Sequence, residues 1–228
     1  MTVPPDPAQQ DPTEAELSAD PALADWRVLL GRLSARWQTG GFTAGAEFVS
    51  RVAAVADEID HHPDVDLRYP HVTVTTVSHD VGRLTGRDRR LATAISGIAT
   101  ELGLTPAPHA LSALEIGLDV MVGESVAPFW TAVLGYAVEG TATFVDPAGR
   151  HAALWLQQMD EPRTGRNRFH LDLTVPHDVA EERVAAALAA GGRLVTDGHA
   201  PAWWVLADAE GNEVCVCTWQ GRGHGDEA

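Results

Sequence analysis

Basic residues are scarce in this chain: 16 Lys and Arg stand against 32 Asp and Glu, for a formal net charge of −16 and a pI near 4.8. Such a surface repels polyphosphate and anionic lipid, so nonspecific binding to nucleic acid or to a membrane is excluded as a function. Cysteine is almost absent. Cys215 and Cys217 lie two apart in a strand-like run and so point the same way, and there is no other thiol for either to meet. A disulfide framework is thereby excluded. Long apolar runs are also missing: none approaches the roughly 20 residues that span a bilayer. The N-terminus has no basic-then-apolar leader. A cytoplasmic protein with no membrane partner is expected.

What is present fills two domains. An apolar fraction of 45% over 228 residues suffices for two cores of about 100 residues each. Residues 1–20, rich in Pro, Asp, Gln and Ala, are expected to be a disordered acidic tail. A first domain is expected over 21–104, a stiff Thr105-Pro-Ala-Pro108 linker over 105–111, a second domain over 112–222 and a short tail over 223–228. In the first domain Trp26, Leu29, Leu30 and Leu33 suggest a short helix or a helix-to-strand entry. Ala35 to Phe42 suggests a strand with a Gly-Gly break.

The stretch from Asp57 to Asp88 carries the chemistry. Phe48, Val52, Val55 and Ile59 recur at helical spacing, and Pro63 biases His62 toward extended backbone, so a helix should end at the His61-His62 pair. Imidazoles at a helix C-terminus sit in the negative end of the backbone dipole. His71 to Val77 alternates and is β-branched, which predicts a half-buried strand with His79 just past its end. Thr85 and Asp88 have capping-box spacing, with Asp in place of Glu. Leu91, Ile95, Ile98 and Leu102 give the apolar face of the helix that follows, and Gly103 stops it. Histidine's unperturbed pKa lies nearest neutrality, so three of them at two turning points suit proton transfer.

Asp57, three residues, His61-His62-Pro63, five residues, Tyr69, nine residues, His79, eight residues, Asp88: this pattern resembles the pterin-4a-carbinolamine dehydratases, over roughly 25–104. The resemblance implies an α+β domain, a small antiparallel sheet with helices on one face. It implies removal of water from a 4a-hydroxytetrahydropterin to give the quinonoid dihydropterin, with no cofactor. The substrate is a pterin, and an aromatic amino acid hydroxylase is the candidate partner. His61 and His79 would be the catalytic acid and base, and His62 would mainly position the pterin. Asp60, Pro63, Tyr69, Ser78, Asp80 and Asp88 would bind substrate, with Asp88 leaning to a structural role. Where some relatives carry aromatics, this chain has Val65 and Asp66.

Beyond the linker the chain duplicates itself. Strand-like Leu114–Val122, helical Val126–Leu134 and three strand-like pieces to Gln158 recur as Arg168–Val175, Val179–Ala190 and three more strands. Gly117-Leu-Asp-Val matches His170-Leu-Asp-Leu. Two βαβββ units in tandem resemble the glyoxalase-like, or vicinal oxygen chelate, fold. That resemblance implies a divalent metal held by a first-strand and a last-strand ligand from each unit. Here His170 stands at one such position, Gly117 at its counterpart, Cys215 where a Glu is usual, and Ala153 to Trp155 near the fourth. One ligand of four does not make that site, so no metal is expected. Trp155, Trp203, Trp204 and Trp219 suit either an apolar cup for a flat organic ligand or core and subunit contacts, the commoner fate of aromatics in strands, and Arg163 to Arg168 suggest a basic loop.

Two other readings stay open: that the second domain is the functional part, as a lyase, dioxygenase or small-molecule binder, and that the first domain is a noncatalytic dimerising or coactivator module. Sheet edges in both domains point to a homo-oligomer.

Overall fold

Leu17 explains an element that composition does not suggest. In the computed structural model, which describes residues 11–162, 165 and 170–221, helix α1 spans Glu14–Ala19. Thr13 and Glu16 cap it reciprocally, and Leu17 is buried in the core of the first unit. Asp11 pairs with Arg83 and Asp20 with Arg89. Residues 11–20 are therefore built into the domain, which corrects the expected tail. Residues 1–10 and the C-terminal tail from 222 lie outside the described residues.

The chain divides into two compact units, residues 1–113 and 114–228. In the first, β1 (Trp26–Leu29) and β2 (Arg32–Gln38) form a hairpin, so the expected helical entry is a strand. Leu30 and Gly31 both take positive φ, the two-residue turn whose twist suits a hairpin. Helix α2 (Phe42–Ile59), strands β3 (Asp64–Arg68) and β4 (His71–Thr76), helix α3 (Gly86–Glu101) and the short β5 (Thr105–Pro106) follow. The sheet runs β1-β2-β4-β3, antiparallel throughout, with β5 added beside β2. Leu33, Ala35, Trp37, Val72 and Val74 face α2 and α3. The other face is polar, with Ser34 bonded to Thr75 at 3.0 Å and Arg36 to Thr73 at 2.9 Å. The expected linker is part of this sheet: Thr105 pairs with Gln38, and the Ala107 N–H donates to the Arg36 carbonyl at 2.7 Å.

The second unit repeats one motif twice. β6 (Glu115–Val120), α4 (Gly123–Leu134), β7 (Ala137–Glu139), β8 (Thr143–Val145) and β9 (Ala153–Gln158) form a sheet ordered β6-β9-β8-β7. β10 (Leu171–Thr174), α5 (Ala180–Ala189), β11 (Arg193–His199), β12 (Trp203–Ala207) and β13 (Glu213–Cys217) form one ordered β10-β13-β12-β11. In each, the first strand pairs in parallel with the last. One core, including Phe129, Trp130, Val184 and Leu206, spans both repeats. The fold is thus the expected α+β pairing of a helix-backed antiparallel sheet with two βαβββ repeats. The expected basic loop, Gly165 apart, lies outside the described residues.

Gly192, in the loop after α5, lies against Phe129 of α4. A Cβ there would stand 2.3 and 2.4 Å from Phe129 ring carbons and 2.8 Å from the Ala187 carbonyl. Overpacking of this kind costs about 1–3 kcal/mol. Gly192→Ala should therefore raise amide exchange in α4 and α5 while leaving that of α2 and α3 unchanged.

Candidate active site

Asp60 sets the geometry. It closes α2 with φ 55° and ψ 45°, left-handed, where an aspartate is tolerated better than most residues. Its N–H and that of His61 return to carbonyls of the last helical turn. The chain reverses there, so that His61 turns inward, 6% exposed, while the side chain of His62 points out, 61% exposed. Asp60 itself is exposed and serves the turn.

His61 meets Asp88 beneath the surface. Its Nε2 lies 2.8 Å from Asp88 Oδ1 and 3.2 Å from Thr76 Oγ1. Thr76 donates to Oδ1 at 2.8 Å, Ser78 to Oδ2 at 2.7 Å, and the Thr85 N–H to Oδ2 at 2.8 Å. Asp88 has no solvent exposure. Burial alone would raise its pKa, but the bonds from His61, Ser78, Thr76 and Thr85 together hold it below the ordinary value. An ionised carboxylate only accepts, so the proton between the two rests on His61 Nε2, leaving Nδ1 as the acceptor of a neutral ring. His62 repeats this at the surface, with Nε2 3.0 Å from Asp57.

The second turning point is tied to the first through the same carboxylate. Ser78, which binds Asp88, is adjacent to His79, and the β3–β4 ladder begins at Asp64 opposite Thr75. Residues 61–63 thus run beside residues 76–78. His79 tops a tight turn in which Ser78 pairs with Arg83 and Gly82 takes φ 64°. Its ring is exposed and makes no hydrogen bond among the described residues. Asp80, next to it, pairs with Arg87 at 2.5 Å, and that bond holds its carboxyl below the ordinary value.

Three expected substrate contacts need correction. Ser78 and Asp88 are completely buried, so they support the site from below and do not touch a ligand. Tyr69 sits in the turn at the far end of the β3–β4 hairpin, about six residues or roughly 20 Å along the strand from Pro63. It is not brought to the histidines. Pro63 and Asp80 remain beside them. Thr76 was missed by the sequence reading, although a polar residue on the inward face of an alternating strand, after Val72 and Val74, is the signal for it. A separate depression of about 420 Å³ beside α1, floored by Leu17 and flanked by Asp20 and Arg89, holds no histidine.

Trp155, Trp203, Trp204 and Trp219 do not share one cup. Trp204 joins the core, whereas Trp203 and Trp155 lie on the opposite faces of their sheets, away from the helices. Trp219 is 68% exposed and donates to His177 Nδ1 at 3.2 Å.

Removing the buried carboxylate deprives the donors from His61, Thr76, Ser78 and the Thr85 N–H and hydroxyl of their shared partner, and each donor left unsatisfied costs about 1–3 kcal/mol of desolvation. Asp88→Ala should cost at least about 3 kcal/mol, read from a denaturant midpoint. Because the folded pKa is depressed, the stability tied to Asp88 is complete above the unfolded value of 3.8 and fades as pH falls through the lower folded value. Acid titration of the wild type should show this loss below pH 3.8, and Asp88→Asn should lack it.

A family model described as pterin 4 alpha carbinolamine dehydratase matches residues 7–98, and one described as a glyoxalase-like domain matches residues 115–217. A protein of Herpetosiphon aurantiacus, provisionally named a pterin-4-alpha-carbinolamine dehydratase, is 40% identical over 73 residues, 32% of this chain and 76% of its own length. One of Chloroflexus aurantiacus, with the same provisional name, is 37% identical over 87 residues, 38% of this chain and 94% of its own. Among solved structures, a glyoxalase/bleomycin resistance protein/dioxygenase family enzyme from Burkholderia phytofirmans aligns over 46% of this chain and 95% of its own, at 17% identity and a TM-score of 0.37. Through its first half the chain belongs to the pterin-4-alpha-carbinolamine dehydratase family, and a glyoxalase-like domain is fused behind it.

Proposed function

We propose that the first unit is a hydro-lyase that removes water from a 4a-hydroxytetrahydropterin to give the quinonoid dihydropterin. One observation carries this reading: a single buried carboxylate binds both His61, at the helix tip, and Ser78, beside His79. Hydroxide leaves poorly, so it must be protonated as it departs. The ring-nitrogen lone pair pushes it out, and a base takes the proton from that nitrogen. Two imidazoles, one protonated and one neutral, supply both halves of the exchange and return to their starting states when they trade protons with solvent.

His79, exposed and without a hydrogen-bond partner among the described residues, is one member of the pair. His61 is the other, and Nδ1 is its working atom because Nε2 is committed to Asp88. His62 lies between them in the chain's path, oriented by Asp57, and positions the pterin. Pro63 and Asp80 border the substrate. The absence of aromatics at Val65 and Asp66 reduces stacking on the pterin ring, which weakens affinity or alters substrate choice. A cytoplasmic setting, an aromatic amino acid hydroxylase upstream and a homo-oligomer built on unpaired sheet edges such as β3 complete the proposal.

Purified whole chain added to enzymatically generated 4a-hydroxytetrahydropterin should accelerate the ultraviolet change of dehydration; no acceleration overturns the reading. His79→Ala, on an exposed side chain, should lower the rate about 10²–10⁴-fold without unfolding the protein. Tyr69→Ala should leave kcat unchanged, since the hairpin holds that ring at the opposite end.

A further inference from the structure

The duplication in the second unit supplies an internal control. Gly117-Leu-Asp119 repeats as His170-Leu-Asp172, and strand pairing sets Asp119 opposite Gln157 but Asp172 opposite Cys215. Register therefore makes Gln157, and not the expected stretch from Ala153 to Trp155, the counterpart of Cys215. The helix-averted positions read Gly, Asp, Gln in one repeat and His, Asp, Cys in the other. A plain polar strand face accounts for an aspartate in both. It does not account for an imidazole and a thiol both converging on the second.

The three groups are already together. His170 Nε2 lies 3.2 Å from Asp172 Oδ1, Cys215 is hydrogen-bonded to Asp172, and the three donor atoms all fall within 4.8 Å of one another. A tetrahedral ion with bonds of about 2.0–2.3 Å keeps its ligands roughly 3.3–3.8 Å apart, so small side-chain rotations close the site. We propose that His170, Asp172 and Cys215 bind a divalent cation of zinc type, with a fourth position open to solvent.

The chemistry of the donors selects the ion. One thiolate, one carboxylate and one neutral imidazole balance a double positive charge, and sulfur favours zinc or cobalt over magnesium or manganese. On binding, the Cys215 S–H bond breaks, its proton passes to solvent and a sulfur–metal bond forms. A nucleophilic role for the thiol is the weaker reading. The hydrogen-bond partner of Cys215 is a carboxylate, and burial, then Asp172, push it up to about 12. The site also departs from the two-repeat, four-ligand arrangement that the glyoxalase-like resemblance implies. All three donors come from one repeat, and at Gly117 the Trp155 indole lies within 3.1–3.4 Å of where a side chain would begin.

The test is titration of tag-free, chelator-stripped whole chain with Co²⁺. One cobalt per chain should bind, with a thiolate-to-cobalt charge-transfer band in the near ultraviolet that Zn²⁺ displaces. Cys215→Ser should abolish the band, and Cys217→Ser, on the same strand face, should retain it. His170→Ala and Asp172→Asn alter half-exposed side chains and should leave the fold intact while weakening Zn²⁺ binding by more than about 10-fold. No band, a band that survives Cys215→Ser, or unchanged Zn²⁺ affinity in His170→Ala and Asp172→Asn would each overturn the proposal.

Discussion

A carboxylate with no access to water is the constraint on which the first unit depends. Left alone, ionised Asp88 would be costly to bury, and it survives only because four separate segments each bring it a proton. The segments are the tip of α2, the last residue of β4, the turn beyond that strand and the cap of α3. Each donor is also fixed by its own element, so the carboxylate joins elements that hydrophobic packing alone would leave free to slide. Net stabilisation from such a cluster is modest. What it confers is uniqueness: no shifted arrangement satisfies all the donors at once.

The same residue does two jobs because of where it sits in its helix. At the third position of α3 a carboxylate reaches back to the Thr85 N–H, as in any capping box. Aspartate, shorter than glutamate, keeps its second oxygen close to the helix start, where Thr76 and His61 arrive. A helix cap and an imidazole-orienting group are therefore the same atoms. This is why reading Asp88 as either structural or functional misses its role.

Much of this was legible in the sequence, and the reasons are specific. Pro63 marked the end of α2, the alternation from His71 to Thr76 marked β4 and its inward side, and Thr85 with Asp88 marked the start of α3. The duplicated Gly-Leu-Asp and His-Leu-Asp segments marked the two repeats. What escaped was encoded in partners distant along the chain. Helix α1 looks like tail because it contributes a single large apolar residue, Leu17, and only the core that receives it makes it a helix worth forming. Thr105 looks like linker because nothing local reveals that β2 has a free edge for it. β3 is short, charged and mostly exposed, so alternation is faint, and its strand character comes from β4. Tyr69 fell at the right distance in sequence and the wrong end of a hairpin in space. Spacing fixes which residues can share a site only after register is known.

The second unit carries that last point further. Its two repeats have the same order of strands, the same parallel closure of first on last and a shared core, yet the faces turned away from that core hold different chemistry. Core positions are interlocked across both repeats, so a change at Phe129 or Leu206 is felt by both. Positions such as His170 and Gln157 face away from it and can vary at little cost to packing, whereas the Trp155 indole keeps Gly117 small and Cys215 is itself buried. Backbone geometry then guarantees convergence without further design. Residues two apart on β10 share a face, and parallel pairing sets β13 alongside at one strand spacing, roughly 4.8 Å. Any polar trio placed at those three positions meets at one point. Fold therefore supplies the meeting place in both repeats, and side-chain identity alone decides that the second assembles nitrogen, oxygen and sulfur while the first assembles a glycine, a carboxylate and an amide.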